Sequence, residues 1–339
     1  YAGSAYHLLT AHNMKAYCFG KARYCGDKAL AYYDRAGGGS YNVQNVLEIM
    51  ASSELLRNNS DAVEDIIGRI RALETTDGSA YSPARLEVAR VEHHLMRSEY
   101  RPAIEKSDSL IEDSTGGNER WYQMHRLKAL ACFQVCDWNE MRRVDQIVLE
   151  GPSRHLSNIS QTNARLGVAH HFLGDPRAAD RHLQQAEFNA SQIRNDFDTV
   201  DALRTLSRCY LIRGDLEKSA DHARRGLATS LRHTATYPVL TLLMVLVESA
   251  SAQGDTTSVE FFLQEAALLV QSGFLLPNRD TTLYHYYESR YATDPEIASS
   301  HLCAARHALE REIAAIGDDG LVEEFLRVRS FGRIRDELA

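Results

Sequence analysis

Two arginines one helical turn apart are the side chains of this sequence best placed to do chemistry. Arg204 and Arg208 stand at positions i and i+4 of a helical pattern, so both guanidinium groups lie on one side of the helix. Guanidinium groups hold carboxylates and phosphates through paired hydrogen bonds. The pair therefore predicts an anion-binding site. The alternative is that each arginine forms an ion pair with an acid such as Asp201 or Glu248.

Histidines and cysteines are the other side chains that suggest chemistry. The chain contains 14 His and 6 Cys, and some are adjacent, as in His170-His171. Neighbouring side chains on a helix point about 100° apart, so an adjacent pair does not converge on one metal ion. Cys132 and Cys136 share a helix face, but no second pair of ligands follows at a zinc-site spacing. We expect neither a metal site nor a cofactor.

Sequence signatures of catalytic sites are absent from the chain. It contains no phosphate-binding loop, no dinucleotide-binding glycine fingerprint and no Gly-x-Ser-x-Gly nucleophile turn. An enzyme with a site between helices has no group of residues to support it. We therefore expect a non-catalytic protein.

A repeated turn marks the ends of the helices that must position these side chains. Gly174, Gly214 and Gly254 are each followed by Asp and stand 40 residues apart, and Cys136-Asp137 and Thr293-Asp294 continue the series. A glycine ends a helix in the left-handed conformation, and the aspartate after it caps the next helix. Amphipathic patterns flank these turns. The spacing predicts an array of helix hairpins.

Each hairpin needs neighbours of its own kind. In the hairpin around Gly214, Leu206 and Tyr210 belong to an apolar stripe on the first helix, and small residues such as Ala223 recur along the second. One hairpin cannot bury both of its faces, so its stability depends on stacking. We expect Leu206 to lie in the core between hairpins.

At these turns and stripes the sequence resembles the tetratricopeptide-repeat (TPR) family. The best match to the family signature is the set Leu166, Gly167, Ala179, Leu183 and Ala186. The period exceeds the family's usual repeat of about 34 residues and is similar to that of maltose-regulator-like and STAND-type bacterial signalling proteins. The resemblance implies an all-α fold: a right-handed α-solenoid of about eight antiparallel helix pairs with C-terminal capping helices.

The pattern indicates one repeat domain that changes in regularity along the chain. We expect a single domain over 1–339, with irregular repeats at 1–156, regular repeats at 157–317 and a cap at 318–339. The first repeat is expected to turn at Gly26-Asp27. Because the chain starts at Tyr1 rather than Met, we expect a fragment of a larger polypeptide.

Composition excludes several classes of partner. The net charge is −8, from 46 acidic and 38 basic residues, which disfavours direct binding of nucleic acid. The longest apolar run, Leu240–Val247, is far shorter than the roughly 20 residues that span a bilayer, so we expect no membrane partner. The cysteines lie in helical patterns rather than in a disulfide framework, which predicts a cytoplasmic protein.

The inner surface of a helical-repeat array is the predicted binding site. Registering the repeats on their turns places eight residues towards it: Arg126, Gln161, Arg204, Arg208, Met244, Glu248, Tyr287 and Arg290. Such surfaces suit an extended peptide or a partner helix. We expect a protein- or peptide-binding scaffold or regulatory module of a larger signalling or transcription-regulating polypeptide. Its partner is a protein, a peptide or another domain of the same polypeptide.

A small-molecule or peptide effector sensor is the alternative function. In that case the superhelix would enclose its ligand in a pocket. Aromatic residues expected near the inner side support this alternative: Phe133, Phe172, Tyr286, Tyr287 and Tyr291. A deep closed cavity would favour the sensor, and an open groove would favour the scaffold.

Overall fold

The protein is all-helical over the residues that the structure describes. The computed structural model describes residues 2–15, 19–36, 40–56, 59–77, 84–113, 119–151, 155–232, 236–271, 278–328 and 331–338. These ranges contain eighteen α-helices and no strand. Eight helix pairs and two capping helices also amount to eighteen. None of the helices within them combines the length and apolarity needed to cross a membrane. Contacts divide the chain into two compact units, Tyr1–Met96 and Arg97–Ala339.

The first unit consists of five helices around one apolar core. They are α1 (Ala2–Lys15), α2 (Phe19–Ala36), α3 (Ser40–Leu56), α4 (Ser60–Asp77) and α5 (Ala84–Met96). Helix α3 packs against the other four, and its Leu47 and Met50 are fully buried together with Ile66 and Ile70 of α4.

The expected turn at Gly26-Asp27 is wrong. Both residues lie inside α2, and Asp27 forms an i,i+4 ion pair with Arg23. A Cβ atom on Gly26 would stand only 2.5 Å from the Sδ of Met50 in α3. The glycine therefore permits two helices to approach closely and does not end one.

The second unit contains the remaining thirteen helices. They are α6 (Tyr100–Glu112), α7 (Glu119–Gln134), α8 (Trp138–Glu150), α9 (Leu156–Phe172), α10 (Pro176–Ser191), α11 (Asp196–Arg213), α12 (Leu216–Arg232), α13 (Thr236–Gln253), α14 (Thr256–Gln271), α15 (Asn278–Tyr291), α16 (Pro295–Ile316), α17 (Asp319–Arg327) and α18 (Phe331–Leu338). Each odd-numbered helix from α7 to α15 packs against the even-numbered helix that follows it. The odd-numbered helices α9, α11, α13 and α15 also pack against one another in sequence.

The repeated turn has the expected geometry. Gly174, Gly214 and Gly254 all have φ between 78° and 90°, and Cys136 takes the same left-handed conformation with φ 61°. The aspartate after each of them caps the next helix; in the hairpin at Asp175, for example, Oδ1 accepts a hydrogen bond from the Ala178 N–H at 2.9 Å. These turns confirm the helix boundaries that the sequence predicts.

Small residues bring the two helices of a hairpin together. A Cβ atom on Gly167 of α9 would lie 2.6 Å from the Cγ of Leu183 in α10, so only glycine admits this leucine. Leu206 of α11 is fully buried, as expected, and so is Ala223 of α12. Burial of a leucine side chain contributes about 1.5–3 kcal/mol, so the seams between hairpins stabilise the stack.

Two buried polar contacts join helices of the second unit. The guanidinium of Arg165 in α9 donates to both carboxylate oxygens of Asp145 in α8, at 2.6 and 2.8 Å. The hydroxyl of Tyr100 in α6 donates to the carboxyl of Glu312 in α16, and burial raises the pKa of that carboxyl. Helices α6 and α16 therefore meet, although they are far apart in sequence.

Histidine rings stack inside several hairpins at one position of the repeat. His182, His222 and His301 each stand seven residues after a capping aspartate, and Phe262 takes that place in the hairpin between them. The ring of His182 stacks on His170 with centroids 5.2 Å apart. In the following hairpin the His222 ring stacks on Tyr210 at 5.4 Å.

Burial keeps these histidines neutral. It lowers the pKa of His170, His182, His222, His285 and His301 below the ordinary value of 6.5. Nearby charges make smaller contributions. Asp175 opposes the shift at His170 and His182 while Arg181 adds to it, and Glu187 opposes the shift at His222.

Replacing Leu206 by alanine should destabilise the second unit. The side chain is fully buried, and core leucine truncations cost about 2–5 kcal/mol. Chemical denaturation monitored by circular dichroism measures the change. Leu231→Ala is the control, because Leu231 is 63% exposed; equal effects of the two substitutions would contradict the packing.

The free energy of unfolding should fall as the solution is acidified. Because the folded-state pKa values of these histidines are depressed, their stabilising contribution is present above pH 6.5 and is lost as the pH falls through the folded-state values. Denaturant titrations between about pH 7 and pH 5 measure this slope.

A histidine-to-phenylalanine substitution distinguishes histidine protonation from carboxylate protonation as the cause of the lost stability. His182→Phe keeps an aromatic ring, as Phe262 does at the equivalent position, and removes the group that titrates. The variant should lose less stability on acidification than the parent protein. His155→Phe, at an exposed position, is the control, and identical slopes for parent and His182→Phe would rule the mechanism out.

Candidate ligand-binding surface

The capping aspartates give a common register for the residues expected on the inner surface. All of them except Arg290 stand seven, eleven or fourteen residues before one of these aspartates. Before Asp215 these positions hold Arg208, Arg204 and Asp201, all on α11. In helix α13 every residue from 238 to 250 is buried, on all faces of the helix.

The eight residues expected on the inner surface separate into two groups. Gln161, Met244, Glu248 and Tyr287 are at most 8% exposed. Arg126, Arg204 and Arg208 are half-buried, and Arg290 is exposed. The solvent-accessible part of the predicted site therefore consists of arginines.

Arg208 lies at the centre of a polar cluster formed by three hairpins. Its guanidinium donates to Oδ1 of Asp280 in α15, and the hydroxyl of Thr241 in α13 donates to Oδ2 at 2.8 Å. Asp280 is 1% exposed. We call Arg208, Thr241 and Asp280 the inner polar cluster. Both oxygens of the buried carboxylate are satisfied, and Arg208 is held in a fixed orientation.

Arg204 forms the ion pair that the alternative interpretation anticipates. Its Nη2 lies 3.2 Å from Oδ1 of Asp201, one turn earlier on α11. Both side chains are partly exposed, so water screens the pair and it contributes little to stability. The guanidinium can therefore exchange this carboxylate for that of a ligand at small cost.

Sequence reasoning missed Thr241 and Asp280, although the repeat contains the signal. Gln161, which is expected on the inner surface, stands fourteen residues before Asp175. The same position in the next three repeats is occupied by Asp201, Thr241 and Asp280. Applying that position to every repeat would have found the partners of both Arg204 and Arg208.

The C-terminal helices cover the inner end of α15. Glu337 of α18 accepts hydrogen bonds from the Tyr286 hydroxyl at 2.6 Å and from Nη1 of Arg290 at 2.8 Å. Arg333 of α18 donates to the Tyr287 hydroxyl at 3.4 Å. Tyr287 and Arg290 therefore contact the cap.

The aromatic residues behind the sensor alternative pack against protein. Phe133 and Tyr286 are buried, and the ring of Phe172 stacks on Trp138 with centroids 4.6 Å apart. In the described part of the chain, no three His, Cys, Asp or Glu side chains are grouped so that they could hold a metal ion. The chemistry available at the inner surface is anion recognition by arginine.

Comparison with known proteins supports the fold. No protein-family model matches the sequence, and no curated protein gives a significant match. A solved structure of a Rap protein complexed with competence and sporulation factor is similar over 99% of this chain and 98% of its own, with 12% identity and a TM-score of 0.54.

Two further solved structures are similar at lower scores. The APC/C hetero-tetramer Cut9–Hcn1 matches 94% of this chain and 73% of its own, with 11% identity and a TM-score of 0.39. The TPR domain of P58(IPK) matches 100% and 90%, with 14% identity and a TM-score of 0.22. Sequence identities this low support only a similarity in fold. Of these three structures, only the Rap structure has a TM-score high enough to support that similarity. Over the described residues the chain has an all-α solenoid fold, similar to that of the Rap protein.

Removing the charge of Arg208 should destabilise the protein far more than removing that of Arg204. Arg208→Leu leaves the Asp280 carboxylate buried without its cation, which costs about 3–5 kcal/mol. Arg204→Leu breaks a partly exposed pair and should cost under about 1 kcal/mol. Denaturant unfolding measures both changes.

The double variant Arg208→Leu with Asp280→Leu tests whether the pair acts as a unit. Because it removes both charges together, its cost should be clearly smaller than the sum of the two single substitutions. Additive costs would show that Asp280 does not depend on Arg208.

Proposed function

We propose that this chain is a non-catalytic helical-repeat module that binds an acidic peptide or protein segment on the side of α11 that carries Arg204 and Arg208. We place it in the cytoplasm, as a regulatory part of a larger signalling or transcription-regulating polypeptide. The five cysteines of the described residues are free thiols, which is consistent with a reducing compartment.

The observation that carries the proposal is the anchoring of Arg208. A buried carboxylate holds its guanidinium in place while 14% of the side chain remains exposed. Guanidinium has five N–H donors, so donors remain for a second acceptor. A ligand carboxylate then meets an arginine whose rotamer freedom is already lost, which reduces the entropic cost of binding.

Arg204 supplies the second contact. It lies one turn before Arg208 on α11, and its acidic neighbour Asp201 is 39% exposed. A ligand carboxylate can therefore displace Asp201 into water. Two adjacent guanidinium groups favour a segment with two or more acidic side chains over a single small anion, because each charge-assisted contact contributes about 1.5–3 kcal/mol.

The other residues of the predicted site have different parts in this proposal. We propose that Arg126 and Arg290, which keep exposed surface, contact the flanks of a long partner. Gln161, Met244, Glu248 and Tyr287 are buried, and we assign them to the wall that supports the arginines. Gln161, for example, donates to the Ser157 hydroxyl at 3.0 Å.

The proposed function likens this chain to the Rap protein only at the level of peptide binding. That protein was crystallised with competence and sporulation factor. The likeness in fold makes a peptide-sized partner a reasonable first probe here. The acidic character of the partner follows from Arg204 and Arg208 of this chain.

Arg204→Glu should weaken binding of acidic peptides without unfolding the protein. Fluorescence polarisation with a labelled library of Asp/Glu-rich decapeptides measures the affinity, and lysine-rich peptides serve as the probe control. The loss should be about tenfold or more. The melting temperature should change little, because the Arg204–Asp201 pair is exposed.

Arg224→Glu is the matched control for this substitution. Arg224 is exposed on α12, so the variant has the same net charge and leaves α11 intact. If both variants lose affinity equally, the binding is nonspecific electrostatic attraction. If Arg204→Glu binds as the parent protein does, the surface of α11 is not the binding site.

A further inference from the structure

A separate cavity of about 540 Å³, largely open to solvent, lies between α15 and α16, outside the inner polar cluster. Seven residues line it: Thr281, His285, Ala304, His307, Glu310, Arg311 and Ala314. Its volume falls within the range of about 300–1,000 Å³ typical of small-molecule sites. Its polar side chains are mostly nitrogen-bearing, and its lining includes two alanines.

Arg311 lines this cavity together with Glu310, but the two side chains form no ion pair. On a helix, its ion-pair partners would occupy positions three or four residues away. In α16 those positions hold His307, Ala308, Ala314 and Ala315. Arg311 forms no ion pair with any residue of the described chain, whereas Arg208 and Arg290 do.

In each of the two histidine rings that line the cavity, one nitrogen contacts another side chain and the second nitrogen remains available. Nδ1 of His285 shares a hydrogen bond with Nδ1 of His301 at 3.0 Å, and Nδ1 of His307 lies 3.7 Å from Sγ of Cys303. The Nε2 of each ring therefore remains as the group that a ligand can meet. The bond to His301 also fixes the plane of the His285 ring.

We propose that this cavity binds a carboxylate attached to a small apolar group. The Arg311 guanidinium pairs with the carboxylate, and the His285 and His307 Nε2 atoms hydrogen-bond its oxygens. The methyl groups of Ala304 and Ala314 contact the apolar part. The site does not include Arg204 or Arg208, so it is independent of the peptide surface proposed on α11.

Glu310 defines the edge of the site. It lies on the flank of the α16 stripe formed by residues 304, 307, 311 and 314, and it is exposed. A plain carboxylate gains nothing from Glu310 and is weakly repelled by it. A ligand that also carries an ammonium group would pair with it, so Glu310 distinguishes the two ligand types.

Nuclear magnetic resonance of the protein labelled with ¹³C in its histidine rings tests the proposal. Titration with propionate should shift the ring signals of His285 and His307, which the variants His285→Gln and His307→Gln assign. In Arg311→Gln the apparent affinity should fall at least about tenfold. Arg224→Gln, which removes an exposed arginine of α12, should bind propionate as the parent does.

A second comparison identifies the source of the carboxylate. N-acetyl-Ala-Ala carries a peptide C-terminal carboxylate, and its amide does not. Tighter binding of the free acid than of propionate, with no binding of the amide, identifies a peptide C-terminus as the ligand. Tighter binding of propionate identifies a small organic acid. Glu310→Gln should strengthen binding of propionate and of N-acetyl-Ala-Ala. It should weaken binding of the zwitterion alanine.

Two results would overturn the proposal. One is unmoved His285 and His307 signals up to about 50 mM propionate, well above the millimolar affinity expected of one charged contact. The other is an Arg311→Gln variant that binds as the parent protein does. Circular dichroism of each variant verifies folding, and because Arg311 and Glu310 are exposed, both variants should fold.

Discussion

The structure of the second unit depends on one local constraint, a left-handed residue followed by a capping aspartate. At Gly174, Gly214 and Gly254 this turn recurs every 40 residues with the same φ. Equal spacing makes equivalent positions of successive hairpins face the same way. Two features follow from it: the positions that bring together Arg208, Thr241 and Asp280, and the ring stacks of His182 and His222 seven residues after their caps. Asp294 follows Asp255 by 39 residues, yet Asp280 and His301 keep the same distances from it, so the position of the cap, and not an exact repeat length, fixes both sets.

Local structure could be predicted from the sequence because its causes are local. The turns, the caps and the burial of Leu206 depend on residues within one hairpin and its neighbour. The prediction failed at Gly26-Asp27, where the dipeptide is the same but the cause differs. There the glycine makes room for Met50 of the next helix. A glycine needed for close packing and a glycine needed for a left-handed turn look alike in a sequence.

The long-range polar contacts could not be predicted in this way. Arg208 and Asp280 belong to different hairpins, and Tyr100 and Glu312 lie at opposite ends of the second unit's sequence. Whether such residues meet depends on the rotation that accumulates from one repeat to the next, and side-chain packing at each interface determines that rotation. Helical periodicity indicates which residues face inward. It does not indicate which of them meet across two or more repeats.

The two candidate sites differ in what a ligand must displace. At the inner polar cluster, Arg208 already neutralises a buried carboxylate, so a ligand uses only its remaining donors and the Asp280 pair stays intact. At the cavity between α15 and α16, Arg311 has no ion-pair partner among the described residues, so a ligand gains the whole interaction and displaces only water. The first arrangement favours an extended partner that makes several modest contacts. The second favours one small carboxylate, because a single anion suffices to pair with Arg311.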